Sequence, residues 1–150
     1  MSDLIVEADG GSRGNPGIAG AGALVRDPRG TVLAAVAVPL GRASNNVAEY
    51  TGLIEGLKLV RSIDAAANVE VRMDSKLVVE QMSGRWKIKH ADMRRLADEA
   101  SRILPPAQVS YTWIPRADNG DADVLSNEAM DVCSAGTAWD PSASAIQPQR

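Results

Sequence analysis

The chain has 150 residues, enough for one domain with its own core, and its 45% apolar content with no Phe makes that core aliphatic. One cysteine, Cys133, excludes an internal disulfide and fits a reducing compartment; the opening MSDLIVEADGG lacks a secretory pattern and no apolar run suits a membrane span, so a cytoplasmic location is expected. A net charge of −3 excludes a uniformly basic nucleic-acid binder, yet residues 84–95 gather Arg85, Lys87, Lys89, Arg94 and Arg95 against Asp92 alone.

Residues 3–9 predict a first strand ending in Asp9. The following GGSRGNPG predicts a turn-rich connection, because Gly and Pro punctuate regular structure. Residues 19–25 and 31–39 predict two more strands, joined by the turn-forming Asp27-Pro28-Arg29-Gly30, so the first three strands form an antiparallel meander. Residues 45–62 predict a helix: Ser44 can cap it, Tyr50, Ile54, Leu57 and Arg61 step at helical spacing, and Leu53, Gly56 and Val60 form the adjacent stripe. A short strand is predicted over 69–73, a helix from Ser75 to Ser83, and another over 92–104, stopped by Pro105-Pro106. Residues 109–114 predict a strand and 121–133 a last helix. Residues 134–150 are small, polar and Pro-containing, and predict a flexible tail or linker after a domain spanning 1–133. Meander first, then alternating helix and strand: this is an α/β protein with helices packed on a mixed sheet.

The acids stand out by position. Asp9 and Asp74 both end predicted strands, where α/β sheets place ligand sites. If those strands are parallel neighbours, the two carboxylates lie side by side. Strand alternation puts Glu7 on the face of Asp9 and Arg72 on that of Asp74, so a Glu7–Arg72 pair is expected across the strands. Glu49 shares a helix stripe with Leu53, Gly56 and Val60, which turns its carboxylate towards the sheet. A buried carboxylate is costly unless paired or bound to metal, and three convergent acids without a matching base favour metal.

The residues flanking these acids form four ordered motifs: Asp9 to Gly17 (DGGSRGNPG), Ser44 to Tyr50 (SNNVAEY), Met73 to Lys76 (MDSK) and Asn119 to Asn127 (NGDADVLSN). Together they resemble the type 1 ribonuclease H family over roughly residues 3–133. The resemblance implies a ribonuclease H-like fold, a five-stranded mixed sheet of order 3-2-1-4-5 with helices on both faces. It implies a metal-dependent endonuclease that hydrolyses the RNA strand of RNA–DNA hybrids by two-metal-ion in-line attack, leaving 5′-phosphate and 3′-hydroxyl ends. Asp9, Glu49, Asp74 and Asp123 would be both the catalytic residues and the metal ligands, holding two Mg²⁺ ions, with Mn²⁺ as a substitute. Hard carboxylate oxygens suit those ions.

By the same resemblance, Gly10, Gly11, Ser12, Arg13, Asn15, Asn45, Asn46 and Ser75 would contact substrate. The Gly10-Gly11 backbone can approach a sugar closely, and the asparagine amides can read a 2′-hydroxyl, the group that separates RNA from DNA. Asn45 and Asn46 could instead merely cap the helix. Trp86 and Lys87 combine an aromatic face with cations, which suits sugars and phosphates of the DNA strand; alternatively Trp86 anchors a solvated loop.

The sequence departs from the family in places. The connection from Ser83 to His90 replaces a longer basic insertion found in many members. The loop Pro115 to Asp121 lacks the histidine common there, leaving Asp121 as an auxiliary candidate, while His90, the chain's one histidine, reads as a cap or surface residue. A monomer is expected, with duplex RNA as a second conceivable substrate. In some bacterial relatives the domain leads into a phosphatase-like domain, and residues 134–150 resemble such a linker. Two rival readings are a non-catalytic hybrid-binding module and another polynucleotidyl transferase of the same superfold. A pure binder has no reason to keep four repelling carboxylates, and the GGSRGNP turn with Asn45-Asn46 favours ribonuclease H.

Overall fold

The computed structural model describes residues 2–149. Three strands, β1 (Leu4–Arg13), β2 (Gly17–Arg26) and β3 (Val32–Ala43), form the antiparallel meander. Helix α1 (Asn45–Ile63) leads to β4 (Val69–Met73), which pairs in parallel with β1. Helices α2 (Lys76–Met82) and α3 (Ala91–Ile103) precede β5 (Val109–Trp113), parallel to β4, and α4 (Gly120–Ala135) follows. The sheet order is β3-β2-β1-β4-β5, the expected one.

Side-chain alternation divides the sheet into two faces. Val6, Ala8, Ala23 and Val25 point into the larger cluster with α1 and α3, around Tyr50, Leu53, Leu57 and Leu96. Leu24 and Ala37 point the other way, onto Leu125 and Ala129 of α4. The core is aliphatic apart from Tyr50, whose buried hydroxyl donates to Gln81 Oε1 at 2.6 Å. Ser44 caps α1 by accepting from the Val47 N–H at 3.2 Å, and His90 caps α3 by accepting from the Asp92 N–H at 3.2 Å.

Three expectations change. First, Asp9 does not end β1. The strand runs on to Arg13, because Gly10 to Arg13 pair with Ala21 to Ile18 of β2, and only Gly14 to Pro16 turn. What stops near Asp9 is the parallel ladder with β4, whose last pair is Glu7 and Arg72. Second, Glu7 and Arg72 face each other in register but do not pair. Glu7 takes Arg26 from β2 at 2.7 Å, and Arg72 takes Glu70, two residues back on its own strand, at 2.9 Å. Third, residues 137–149 lie against the domain instead of trailing from it. Trp139 and Ile146 pack on the α4 cluster, Glu128 accepts from Trp139 Nε1 (3.0 Å), Ser144 Oγ (2.6 Å) and the Ala145 N–H (2.9 Å), and the Gln149 N–H donates to the Val32 carbonyl (2.8 Å). The composition suggested a linker; two apolar side chains and one well-bonded carboxylate suffice to hold it.

Candidate carboxylate site

Four elements deliver one carboxylate each. Extending the β1–β4 register two residues past its last pair brings Asp9 opposite Asp74. Glu49 arrives from the first turns of α1, and Asp123 from the first turn of α4. All four line one cavity of about 310 Å³, together with Gly10, Gly11, Ser12, Arg13, Asn45, Arg116, Ser126, Asn127 and Met130.

Glycine sets how closely α1 approaches. A Cβ on Gly10 would lie 2.2 Å from the Ala48 carbonyl carbon, and one on Gly52 would lie 2.5 Å from the Asp9 carbonyl oxygen. The absent side chain of Gly10 therefore admits α1, and with it Glu49, to β1. Gly11 turns the other way, towards the Met130 methyl. The missing Gly10 side chain thus serves packing against α1, while the Gly10 backbone borders the cavity.

The electrostatics follow from crowding. Burial, then the Asp74 charge, then that of Asp123 push the Asp9 carboxyl up to about 7, against the Gly10 N–H and Ser126 hydroxyl. Burial pushes Glu49 up to about 6; the Ser75 hydroxyl opposes this and the Asp74 charge adds to it. A cation in this position would relieve the repulsion. Arg116 is the base nearest Asp123, at 3.8 Å, but its side chain is 82% exposed and such a pair is weak. Among the described residues, no three His, Cys, Asp or Glu side chains are gathered into a ready-made shell for one ion. Mg²⁺ does not need one, since it ordinarily takes one or two carboxylates and completes its shell with water and substrate oxygens. Hard anionic donors, raised proton affinity and an open cavity fit a divalent cation.

Several neighbours hold the acids. Asn119 is 1% exposed and its Nδ2 donates to Asp74 Oδ1 at 2.8 Å and to the Ala8 carbonyl at 2.9 Å. It thereby ties the start of α4 to β1 and to the residue after β4. Ser126 Oγ lies 3.2 Å from Asp9 Oδ2 and 3.0 Å from the Asp123 carbonyl, and its single proton can serve either. Asn119, Ser126, Arg116, Asn127 and Met130 were not singled out from sequence. Asn119, Ser126 and Asn127 stand inside the fourth motif, and the helical offset of Ser126 from Asp123 was the available signal.

The expected substrate-contact residues divide into groups. Ser12, Arg13 and Asn45 line the carboxylate cavity; Asn45 Oδ1 accepts from the Ser12 N–H at 2.8 Å, and Arg13 pairs with Asp131 at 2.7 Å. Asn15 Oδ1 accepts from the Asn45 N–H at 3.1 Å, and Asn15 and Asn46 border an adjoining cleft with Arg42, His90 and Arg95. Ser75 caps α2. Trp86 and Lys87 lie on the α2–α3 connection, outside both, and Trp86 is 45% exposed. Asp121 is not brought to the cavity. It accepts from Arg26 Nη2, because residues two apart on a helix point in different directions and Asp123 takes the inward one.

The profile of a family described as reverse transcriptase-like matches residues 7–129. The chain is 51% identical over 139 residues to the bifunctional protein Rv2228c of Mycobacterium tuberculosis (strain H37Rv), covering 91% of this chain and 38% of that protein. The structure of the N-terminal RNase H domain of that protein superposes with a TM-score of 0.84 at 50% identity, covering 92% of this chain and all of that one. A ribonuclease H of Hydrogenovibrio crunogenus is 32% identical over 155 residues, covering 87% of this chain and 97% of that protein. LC11-RNase H1, solved in complex with an RNA/DNA hybrid, superposes with a TM-score of 0.82 at 38% identity, covering 85% and 96% of the two chains.

Proposed function

The chain belongs to the ribonuclease H family, and from that premise we propose that it is an endoribonuclease cutting the RNA strand of RNA–DNA hybrids. The observation that carries this reading is the convergence of four carboxylates from four elements on one cavity. Asp9, Glu49, Asp74 and Asp123 would hold two Mg²⁺ ions, with Mn²⁺ able to substitute. When bound, such ions acidify a water for in-line attack and stabilise the leaving 3′-oxygen, which gives 5′-phosphate and 3′-hydroxyl ends. The protein's own part is positioning. Asn119 binds one oxygen of Asp74 and leaves the other free. Ser12, Asn45 and the Gly10-Gly11 backbone border the cavity where the RNA strand would lie, and their polar groups suit a 2′-hydroxyl. Asn15, Asn46, Arg42 and Arg95 border the adjoining cleft and suit a phosphate backbone. Trp86 and Lys87 are exposed on the α2–α3 connection and would contact the DNA strand.

Among the described residues no helix is long and apolar enough to cross a membrane. We place the protein in the cytoplasm, which its single cysteine suits, and take it as a monomer. The chain spans 38% of the length of the mycobacterial bifunctional protein, so a further, phosphatase-like domain after this one belongs to the same proposal.

The test uses labelled RNA–DNA hybrid, duplex RNA and duplex DNA, each with Mg²⁺, Mn²⁺ or chelator. Hybrid cleavage that needs metal and drops at least about a thousandfold in Asp74→Asn is expected, the scale of losing a group central to transition-state stabilisation. Binding of hybrid without cleavage under every metal condition overturns the enzyme reading and leaves the binding module. Equal cutting of duplex RNA would widen the substrate class.

A further inference from the structure

On the α4 side of the sheet a second charged group stands beside the carboxylate cavity, outside the proposed metal site. Glu7 is 8% exposed although charged. Arg26 of β2 answers it with a two-pronged contact, Nε to Glu7 Oε2 at 2.7 Å and Nη2 to Glu7 Oε1 at 3.3 Å. The same guanidinium reaches Asp121 through Nη2 and the Gly30 carbonyl through Nη1 at 3.0 Å. One planar cation thus joins β1, the β2–β3 turn and the first turn of α4. A guanidinium suits that task because its donors form a rigid fork.

The placement is specific in sequence. Glu7 stands two residues before Asp9 on the same face of β1, and Asp121 two residues before Asp123 in α4. Arg26 therefore bridges the two elements that carry Asp9 and Asp123, one step behind the cavity. The start of α4 is held on the cavity side by Asn119, through Asp74 and the Ala8 carbonyl, and Arg26 holds it on the other side. Asn119 stands at the cap position but makes no side-chain capping bond, and the Arg116–Asp123 pair is long and exposed. Asp121 also lies where the helix dipole favours an anion, which adds to its hold.

We infer that Glu7, Arg26 and Asp121 form a positioning clip that fixes the first turn of α4 and so sets the reach of Asp123 towards the metal site. The inference rests on the carboxylate cavity being the catalytic centre. Arg26 touches neither substrate nor the reacting atoms; it acts through Asp121 and the helix. This gives Asp121, the auxiliary candidate of the sequence, a different task.

The primary variant is Asp121→Ala, which removes the half-exposed partner and leaves the buried Glu7–Arg26 pair intact; its side chain is 45% exposed against 10% for Glu7. Arg26→Gln strands the Glu7 carboxylate and endangers the fold, so Arg26→Lys serves as the conservative companion. In the metal-free protein, Asp121→Ala is expected to speed amide exchange of residues 123–125 about tenfold while amides of α3 keep the parental rate, the sign of a local opening. In the full enzyme, half-saturating Mg²⁺ should rise about three- to tenfold and kcat fall, with KM for hybrid within about twofold, as for loss of a group that orients a ligand. Arg26→Lys should fall between the parent and Asp121→Ala. Parental exchange at 123–125, or exchange that rises equally across the whole chain, overturns the clip. So does a change in KM alone. A parent protein that fails to cut hybrid overturns the functional reading instead, while the exchange measurement still reports on the clip.

Discussion

At Asp9 burial and the charges of Asp74 and Asp123 act in one direction, and this has a consequence for pH. In the folded, metal-free protein Asp9 keeps its proton to about 7 and Glu49 to about 6, against ordinary values of 3.8 and 4.5. Within those windows the folded state binds protons that the unfolded state has released, so stability falls as pH rises through them. In chelator, the thermal midpoint should drop on going from roughly pH 5 to roughly pH 8, and added Mg²⁺ should restore it. A midpoint in chelator that climbs with pH contradicts the carboxylate cluster. The same groups make metal and protons compete, so half-saturating Mg²⁺ should fall between roughly pH 6 and roughly pH 8. Asn119 offers a second check at this scale. Asn119→Ala frees Asp74 Oδ1 and the Ala8 carbonyl, and should cost about ten- to a hundredfold in kcat or metal affinity, the usual cost of losing a group that orients a ligand. Hybrid-cleavage kinetics across a metal titration would show whether it does.

Among the elements, α1 carries the sharpest constraint. It can approach β1 only because Gly10 and Gly52 lack side chains where the two backbones meet. Gly10→Ala places a Cβ against the Ala48 backbone, which cannot yield like a flexible side chain. The helix must shift, Glu49 with it, at a cost of about 1–3 kcal/mol typical of overpacking. Urea unfolding should show the loss, and activity should fall further than stability alone explains. Ser44→Ala, in contrast, removes only the α1 cap and should cost about 1 kcal/mol with catalysis per folded molecule retained. The helix and its cap were legible in sequence because both signals are local: an apolar stripe at helical spacing and a hydroxyl before it. The full length of β1 was not. Gly10 to Arg13 look like a loop by composition, and only hydrogen bonding to β2 makes them strand.

Across the whole molecule, the last stretch of chain matters more than its composition suggests. Residues 137–149 cover Leu24, Ala37, Leu125 and Ala129 with Trp139 and Ile146, and Glu128 anchors them. Ending the chain at Gly136 should expose that cluster and remove about 2–4 kcal/mol of stability, the scale of losing a buried aromatic and its neighbours. Cleavage per folded molecule should survive, because none of these residues borders the carboxylate cavity. Thermal denaturation of the two lengths, with hybrid cleavage below both midpoints, separates the effects. An unchanged midpoint would return the segment to the role of a loose linker.

The sequence by itself pointed to four acids that the fold brings to one cavity and, through the resemblance that four ordered motifs carry, to the family and the sheet order. It also placed Asp74 at the end of its strand, since that strand is short and bounded on both sides. The tertiary structure alone decided which partner each charge takes. Glu7 stands in register with Arg72 yet pairs with Arg26, and Asp121 pairs with Arg26 while Asp123 turns inward. Periodicity assigns a residue to a face. The partner on that face depends on how α4 and the β1–β2 hairpin meet, and residues from 7 to 123 contribute to that meeting with no local pattern to announce it.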